Sequence, residues 1–202
     1  MIKPLRKEVV KTAALLVDNG LMPPKTGNIS IHNGEGLIAI TPSGYDYTKM
    51  KAHDVSVIDL DGQVLRGWLP PSSEWRMHLE LYRRLPGVRA IVHTHSPYAT
   101  HFACLGKKIP LQYIEEDPTL SVSIPVSPYV LRATNELGAK AAETLQERPG
   151  CLLEKHGVLA VGDNIRNAYE NAHYIEKAAQ AFYTATGETN ELLRGNECKT
   201  SD

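Results

Sequence analysis

Apolar residues recur along the chain with two different periods, one typical of helices and one typical of strands. Spacings of three and four residues, which place apolar side chains on one helix face, predict four amphipathic helices. A fifth, short helix is predicted from Ser96-Pro97, because serine is a preferred cap and proline fits the first helical position. The five predicted helices cover residues 3–19, 74–85, a short stretch after 96, 137–145 and 165–182.

Short segments rich in β-branched and apolar residues separate these helices and predict strands. They lie at 29–32, 37–41, 55–60, 63–65, 88–95, 151–153 and 158–161, with short pieces at 109–114 and 122–126. Several neighbouring strands are joined by short turns, so the sheet should be mainly antiparallel, with helices covering its faces. The pattern predicts an α/β sandwich, a single domain over residues 1–202 with a polar tail from about 187.

Composition excludes several classes of partner. Of 202 residues, 42% are apolar and 22% charged, and the net charge is −1, so neither nucleic acid nor an anionic membrane is an expected partner. No apolar run reaches the roughly 18 residues of a transmembrane helix, and the first eight residues carry charges where a signal peptide needs an apolar stretch. Three widely spaced cysteines are typical of free thiols, and we expect a cytoplasmic protein.

Three histidines give the strongest chemical signal. His93 and His95 are two residues apart in a predicted strand, so their side chains point to one face, about 6.6–6.8 Å apart at Cα. His156 lies in a Glu-Lys-His-Gly turn between two apolar strands, and Gly157 would let the backbone bend sharply there. Singly, each could be an ordinary surface or turn residue. Together, three imidazoles with one open position are typical of a catalytic zinc site.

Glu74 follows two prolines and two serines and opens a predicted helix. On a purely structural interpretation, Ser73 caps the helix and Glu74 is an acid in its first turn. On a functional one, the hydroxyls and free N–H groups bind an anion, and the carboxylate serves as acid, base or metal ligand. His78 lies one helical turn after Glu74 and is a candidate for orienting it.

These features together resemble the class II aldolases of the fuculose-phosphate type, a family related to adducin and ribulose-phosphate 4-epimerase. The resemblance runs from about Leu5 to Phe182. Its landmarks, in chain order, are Thr-Gly-Asn-Ile-Ser at 26–30, Ile-Thr-Pro-Ser-Gly at 40–44, Pro-Ser-Ser-Glu-Trp-Arg-Met-His at 71–78, Val-His-Thr-His at 92–95 and Lys-His-Gly at 155–157. The two polar turns at 26–28 and 41–44 would, taken alone, fit ordinary turn chemistry.

The resemblance implies an α/β/α layered domain with a mainly antiparallel central sheet, assembled as a homotetramer with active sites between subunits. It implies that the Zn²⁺ ligands are His93, His95, His156 and Glu74, and that Glu74 is also the acid/base. It implies that a substrate phosphate is bound by Thr26, Asn28, Ser43, Gly44, Ser72 and Ser73. Tyr113 falls where the family places a tyrosine that protonates the aldehyde oxygen.

The implied reaction cleaves a ketose 1-phosphate, similar to L-fuculose 1-phosphate, to dihydroxyacetone phosphate and a short aldehyde through a metal-stabilised enediolate. The chain departs from the family at the turn around Thr26, which has one small residue fewer than usual, so either Thr26 is displaced or Lys25 joins the phosphate site. Residues 114–118 are acidic rather than apolar and glycine-rich, and no tyrosine follows Tyr183. These departures leave the identity of the aldehyde open.

Three alternatives remain at this point. A methylthioribulose-1-phosphate dehydratase shares the fold and the histidines and would use Glu115 to move protons, although the acidic run around Glu115 is equally explained as a solvated loop. A sugar-phosphate 4-epimerase fits less well, because those enzymes tend to have aspartate in place of Glu74. A non-catalytic adducin-like module would lack the three histidines.

Overall fold

The computed structural model describes residues 2–111, 123–146 and 148–187. All five predicted helices form, and the last is the longest. Their bounds are α1 (Ile2–Asp18), α2 (Trp75–Arg84), α3 (Pro97–Leu105), α4 (Asn135–Leu145) and α5 (Ile165–Thr186).

The strands build one large sheet and one small pair. Their bounds are β1 (Asn28–His32), β2 (Leu37–Ile40), β3 (Ser56–Asp59), β4 (Val64–Arg66), β5 (Ala90–Thr94), β6 (Ile109–Pro110), β7 (Ser123–Ile124), β8 (Val126–Ser127), β9 (Gly150–Leu153) and β10 (Gly157–Gly162). Eight of them pair in the order β4-β3-β2-β1-β5-β10-β9-β8, while β6 pairs with β7. Among the described strands of the large sheet, only β8 and β9 run parallel, which confirms the mainly antiparallel prediction.

Helices cover both faces of this sheet. Alternate residues of the central strand β5 pack in opposite directions: Val92 joins an apolar cluster with α1, α3 and α5, whereas Ile91 joins a second cluster with α2 and α4. Every residue of β5 is buried, as expected for a strand with helices on both sides. The α/β/α sandwich is therefore confirmed.

Two predicted boundaries shift near the histidines. Helix α2 begins at Trp75, so Glu74 is its N-cap rather than a first-turn acid, and Ser73 is not the cap. The hydroxyl of Ser72, rather than that of Ser73, accepts a hydrogen bond from the Glu74 N–H, at 3.3 Å. Strand β5 ends at Thr94, which puts His95 just beyond it.

Some predicted features lie outside the described residues. These are Tyr113, the acidic run 114–118 with Glu115, and the tail beyond Gly187. Within the described ranges, no helix is long and apolar enough to cross a membrane. Cys104 is exposed and Cys151 is buried, and both are free thiols.

Candidate active site

Strand pairing fixes the position of His93. Strand β5 lies between β1 and β10, and its register sets His93 opposite Asn28 on one side and Leu159 on the other. Directly opposed residues point to the same face of a sheet, so the Asn28 and His93 side chains are neighbours. His93 is fully buried, and its Nδ1 lies 2.8 Å from the carbonyl oxygen of Val158, to which it donates. That hydrogen bond leaves Nε2 as the nitrogen that faces the site.

His95 and His156 complete a cluster of three imidazoles. The Nε2 atoms of His93 and His95 are 3.1 Å apart, and the potential ligand atoms of all three residues lie within 4.8 Å of one another. His156 arrives from the turn between β9 and β10, next to the end of β5. The structure thus brings together the three histidines that the sequence proposed as metal ligands.

Gly157 serves the cluster through its lack of a side chain and not through a bend. Its backbone does not adopt the left-handed conformation; Lys155, with φ of 56°, does so instead. A Cβ at Gly157 would lie 2.6 Å from the Thr94 carbonyl oxygen and 2.7 Å from Cδ2 of His95. The prediction of a sharp bend at Gly157 was wrong, because the glycine is required for close approach to the histidines.

Glu74 turns its carboxylate toward the histidines instead of capping α2. Oε2 lies 3.2 Å from Nε2 of His93, and Oε1 lies 3.2 Å from Nε2 of His156. Burial by itself would raise the pKa of this carboxyl group, but positive charge on the side of His93 and His156 outweighs burial and holds the pKa well below its usual range. Glu74 is therefore ionised at neutral pH.

The arrangement around Glu74 requires a cation. Because His93 donates from Nδ1, its neutral form presents a bare Nε2 to a carboxylate oxygen, so two acceptors face each other at 3.2 Å. A proton or a metal ion must separate them. Burial, followed by the charges of His93 and His156, lowers the pKa of His95 to about 4, which leaves that imidazole neutral and able to bind a metal near pH 7. The donor set therefore fits a divalent metal.

Two polar turns are joined beside the histidine cluster. Pro42 and Pro71 form an isolated antiparallel bridge, the Ser43 N–H donates to the Pro70 carbonyl at 3.0 Å, and the Ser72 N–H donates to Thr41 at 2.9 Å. This pairing sets the turn that contains Ser43 and Gly44 against the turn that contains Ser72 and Ser73. Backbone hydrogen bonds thereby bring together two turns that are almost thirty residues apart in the sequence.

A third turn, residues 26–28, is pressed against β5. Gly27 has φ of 75°, and a Cβ there would lie 2.6 Å from the His93 carbonyl oxygen, so only glycine fits. The Tyr47 hydroxyl donates to the Gly27 carbonyl at 2.7 Å and holds the turn. Within the described residues the buried Thr26 hydroxyl has no hydrogen-bond partner, which leaves it available to a ligand.

One cavity of about 150 Å³ joins the turns to the histidine cluster. Its lining includes all six residues proposed to bind phosphate, and also Glu74, His95 and His156. It further includes Lys25, Tyr47 and Arg132. Tyr47 and Arg132 were missed at the sequence level, because neither belongs to a recognisable motif. Lys25 and Thr26 both line the cavity, so the shortened turn keeps Thr26 at the site and adds a lysine.

The chain matches a family model over most of its length. Residues 7–183 match the class II aldolase and adducin N-terminal domain. The chain is 40% identical over 180 residues to a 5-deoxy-D-ribulose 1-phosphate aldolase of Bacillus thuringiensis serovar kurstaki, covering 88% of this chain and 84% of that protein. It is 35% identical over 179 residues to a 5-methylthioribulose-1-phosphate/5-deoxyribulose-1-phosphate aldolase of Rhodospirillum rubrum, and the match covers 89% of this chain and 80% of that protein.

The fold of the chain is also similar to that of a solved structure. An L-fuculose 1-phosphate aldolase superposes with a TM-score of 0.85 at 34% identity, covering 92% of this chain and 88% of that one.

Proposed function

The chain belongs to the class II aldolase and adducin family, and from this premise we propose that it cleaves a ketose 1-phosphate to dihydroxyacetone phosphate and a short aldehyde. The observation that carries the proposal is one cavity that joins a metal-binding group to an anion-binding group. Its lining includes two of the three clustered imidazoles, those of His95 and His156, with the ionised Glu74 carboxylate, and it also includes three polar turns with hydroxyl and N–H donors. A ketose 1-phosphate presents matching chemistry, with a phosphate on C1 and neighbouring oxygens on C2 and C3.

The metal ligands in this proposal are His93, His95 and His156, with Glu74 beside them. Three neutral imidazoles with an open position suit zinc, although other divalent ions accept the same donors. Such an ion supplies a Lewis acid for the negative charge that develops on the substrate oxygens next to the breaking bond. Family membership supports metal dependence, and zinc is our proposal for the ion.

Glu74 is the proposed acid/base. When the bond between C3 and C4 breaks, its electron pair stays with the three-carbon fragment, the C4 hydroxyl loses its proton and becomes an aldehyde, and C3 must gain a proton. An ionised carboxylate beside the reacting oxygens can carry that proton to and from C3. Its burial at 7% exposure keeps bulk water from delivering the proton without control. The second proton carrier proposed from the resemblance, Tyr113, stays a prediction.

The polar turns are the proposed phosphate site. Thr26, Ser43, Ser72 and Ser73 offer hydroxyls, Gly44 offers a backbone N–H and Asn28 an amide, and Lys25 adds a positive charge to the same cavity. Binding the phosphate at a distance from the reacting carbons holds the substrate in the geometry for bond cleavage. Arg132 lines the cavity with His95 and His156 and is a further candidate for contact with the sugar.

We propose ketose 1-phosphates with a deoxygenated far end as the substrate class. The relatives are named for 5-deoxyribulose 1-phosphate, 5-methylthioribulose 1-phosphate and L-fuculose 1-phosphate, which share a 1-phosphate and a far end without a hydroxyl. 5-Deoxyribulose 1-phosphate is the first substrate to test, because its aldolase is 40% identical to this chain.

A homotetramer with active sites at subunit interfaces is also proposed. Tyr129 and Leu131 are 56% and 65% exposed, and they stand next to Arg132 at the cavity. Apolar side chains in that position suit coverage by a neighbouring subunit. Sedimentation velocity should give the mass of four 22.3 kDa chains, whereas a monomer would contradict the proposal.

The experiment that tests the function measures dihydroxyacetone phosphate released by the zinc-loaded protein. The panel contains the 1-phosphates of 5-deoxyribulose, 5-methylthioribulose, L-fuculose and L-rhamnulose, each paired with the unphosphorylated ketose. We expect release of dihydroxyacetone phosphate from at least one phosphate, and no release of dihydroxyacetone from its unphosphorylated partner. Loss of water from 5-methylthioribulose 1-phosphate without release of dihydroxyacetone phosphate would contradict the aldolase and favour the dehydratase alternative.

A further inference from the structure

A chain of buried polar side chains leads away from Glu74 into the protein. The Asn28 amide nitrogen donates to Oε2 of Glu74 at 2.8 Å, and the amide oxygen of Asn28 is hydrogen-bonded to Nε2 of His78. On the other side of the imidazole ring, Nδ1 of His78 lies 2.6 Å from the Ser30 hydroxyl. The Ser30 hydroxyl in turn lies 2.6 Å from the hydroxyl of Tyr82. All five residues are at most 7% exposed.

Chemistry fixes the direction of every hydrogen bond in this chain. The Glu74 carboxylate only accepts, so the Asn28 nitrogen must face it, and the Asn28 oxygen must face His78. An amide oxygen only accepts, so Nε2 of His78 carries the proton. A neutral imidazole then has a bare Nδ1, which accepts from the Ser30 hydroxyl, and the Ser30 oxygen in turn accepts from Tyr82. All the donors therefore point toward Glu74.

The neutral state of His78 follows from its surroundings. The imidazole is completely buried between α2 and the sheet, and burial, followed by the charge of His93, lowers its pKa to about 3. The neutral imidazole therefore carries a single N–H proton, and its two hydrogen bonds determine that this proton is on Nε2. Tyr82 behind it stays protonated, since burial raises its pKa.

Secondary structure sets these side chains in register. Asn28 and Ser30 are two residues apart on β1, so they share a face, and His78 and Tyr82 are one turn apart on α2. The sequence indicated that His78 could orient Glu74 along the helix. The structure shows that His78 reaches Glu74 through the Asn28 side chain of β1.

We propose that His78 is a positioning residue for the reaction: it orients the Asn28 amide so that one N–H holds the Glu74 carboxylate and the other is free for the substrate phosphate. This inference rests on the proposed function, in which Asn28 binds phosphate and Glu74 carries the proton. Asn28 is 3% exposed and its amide oxygen faces the completely buried His78, so no solvent replaces a lost partner of that oxygen. Without a donor on Nε2, the Asn28 oxygen is left buried and unpaired, and the amide rotates away from Glu74.

Three variants test the proposal in the zinc-loaded enzyme. His78→Leu removes the donor, and kcat should fall about 10–100-fold, the usual effect of losing a residue that orients a metal-site ligand. His78→Gln keeps an N–H donor near the position of Nε2 and should recover most of the lost kcat. Tyr82→Phe is the control, because it removes the hydroxyl farthest from Glu74; it should lower the urea midpoint and leave kcat unchanged.

The control separates positioning from structural support. If the network served only stability, the loss of kcat would be proportional to the decrease in the urea midpoint. Tyr82→Phe and the His78 variants would then share one proportionality between these two quantities. A His78→Leu enzyme with the kcat of the wild type would overturn the proposal. So would equal losses of kcat in His78→Leu and His78→Gln.

A second measurement does not depend on catalysis. In the metal-free protein with ¹⁵N-labelled histidine, NMR should show the His78 proton on Nε2 at pH 7, and a proton on Nδ1 would overturn the inference. Absence of activity toward every sugar phosphate would instead overturn the proposed function. In that case the NMR tautomer, and the loss of the Asn28–Glu74 amide hydrogen bond in His78→Leu but not in Tyr82→Phe, would still decide the inference.

Discussion

The Glu74 carboxylate is buried beside three imidazoles, and two opposing effects act on its charge. Burial disfavours the ionised form, whereas His93, His156 and the Asn28 amide favour it. The contacts that favour the ionised form outweigh burial, because both carboxylate oxygens have partners within 3.2 Å. The ionised carboxylate is the form that can accept a proton from carbon and return it.

Glu74→Gln should abolish turnover and spare the metal. The amide cannot carry the proton, so we expect kcat to fall about 10²–10⁴-fold. Three imidazoles remain, so bound zinc should stay near one ion per chain. Steady-state kinetics and atomic absorption measure the two quantities. Glu80→Gln is the matched control, because Glu80 lies on the same helix and pairs with Arg83 and Arg84 away from the site. A Glu74→Gln enzyme that retains kcat would refute the assigned role.

Prediction from sequence succeeds unevenly at the level of residues. The spacing of His93 and His95 sufficed to place them together, because side chains two apart in a strand share a face. Tyr47 and Arg132 could not be found, since their place at the cavity depends on long-range packing of isolated residues. The role of Asn28 between His78 and Glu74 also required the strand register, which the sequence does not specify.

At the scale of elements, the turn between β9 and β10 and the end of β5 pack too tightly for a side chain at Gly157. The three imidazoles reach one another only because the two backbones approach this closely. The turn sequence Glu-Lys-His-Gly indicated a bend, but a sequence does not reveal which strand end its glycine touches. The function of Gly157 could therefore not be predicted.

Gly157→Ala should weaken metal binding by displacing His95. The added methyl group would lie 2.7 Å from Cδ2 of His95, so the ring must move, and we expect zinc affinity to fall at least about tenfold. Competition with a chromophoric chelator measures the affinity. Gly87→Ala is the control, because that glycine has no atom within 4 Å of the added carbon and no left-handed backbone. Equal affinities in the two variants would contradict the packing argument.

Helix α3 begins two residues after His95 and is held by a carboxylate from α5. The predicted cap, Ser96, makes no side-chain hydrogen bond to the helix. Glu176 instead accepts the N–H groups of Tyr98 and Ala99, each at 2.9 Å. The sequence predicted where this helix begins but could not predict its cap, which comes from 77 residues further along the chain.

Glu176→Ala should destabilise the protein by about 2–3 kcal/mol, because one buried and one partly buried N–H group lose a charged acceptor. Glu176→Gln keeps one acceptor oxygen and should cost about half as much. Urea unfolding measures both. Glu170→Ala, which breaks an exposed ion pair with Arg166 on the same helix, should cost less than about 0.5 kcal/mol. A Glu176→Ala protein as stable as the Glu170→Ala protein would contradict this cap.

For the molecule as a whole, buried histidines link folding to pH. The folded pKa of His78 is about 3, whereas an unfolded histidine titrates near 6.5. Between these values the unfolded chain binds a proton that the folded protein does not. The free energy of unfolding should therefore be unaffected by this group above about pH 6.5 and should decrease as the pH falls toward 3.

His78→Gln removes this contribution and leaves the other titrating groups in place. As the pH falls from 6.5 to 4.5, the free energy of unfolding of the metal-free wild type should decrease more steeply than that of the variant, by up to about 1.4 kcal/mol per pH unit. Urea titrations at a series of pH values measure the two slopes. Parallel curves would show that His78 is not held neutral in the folded protein.

The architecture was predictable from the chain because its local signals agree with one another. Helical periods, short turns and the buried strand β5 all favour a sheet covered on both faces, and both apolar clusters form as that pattern requires. The order of the strands was not predictable, since β5 inserts between β1 and β10, far apart in sequence. That insertion is what gathers Asn28, His93 and His156.

Proton exchange on dihydroxyacetone phosphate tests the central claim most directly, because it needs no knowledge of the aldehyde. If Glu74 takes and returns the C3 proton at this metal site, the zinc-loaded protein in D₂O should exchange one of the two C3 hydrogens for deuterium. Proton NMR should show that loss with the wild type and not with Glu74→Gln or the metal-free protein. No exchange by the zinc-loaded wild type, or equal exchange by Glu74→Gln, would contradict the account.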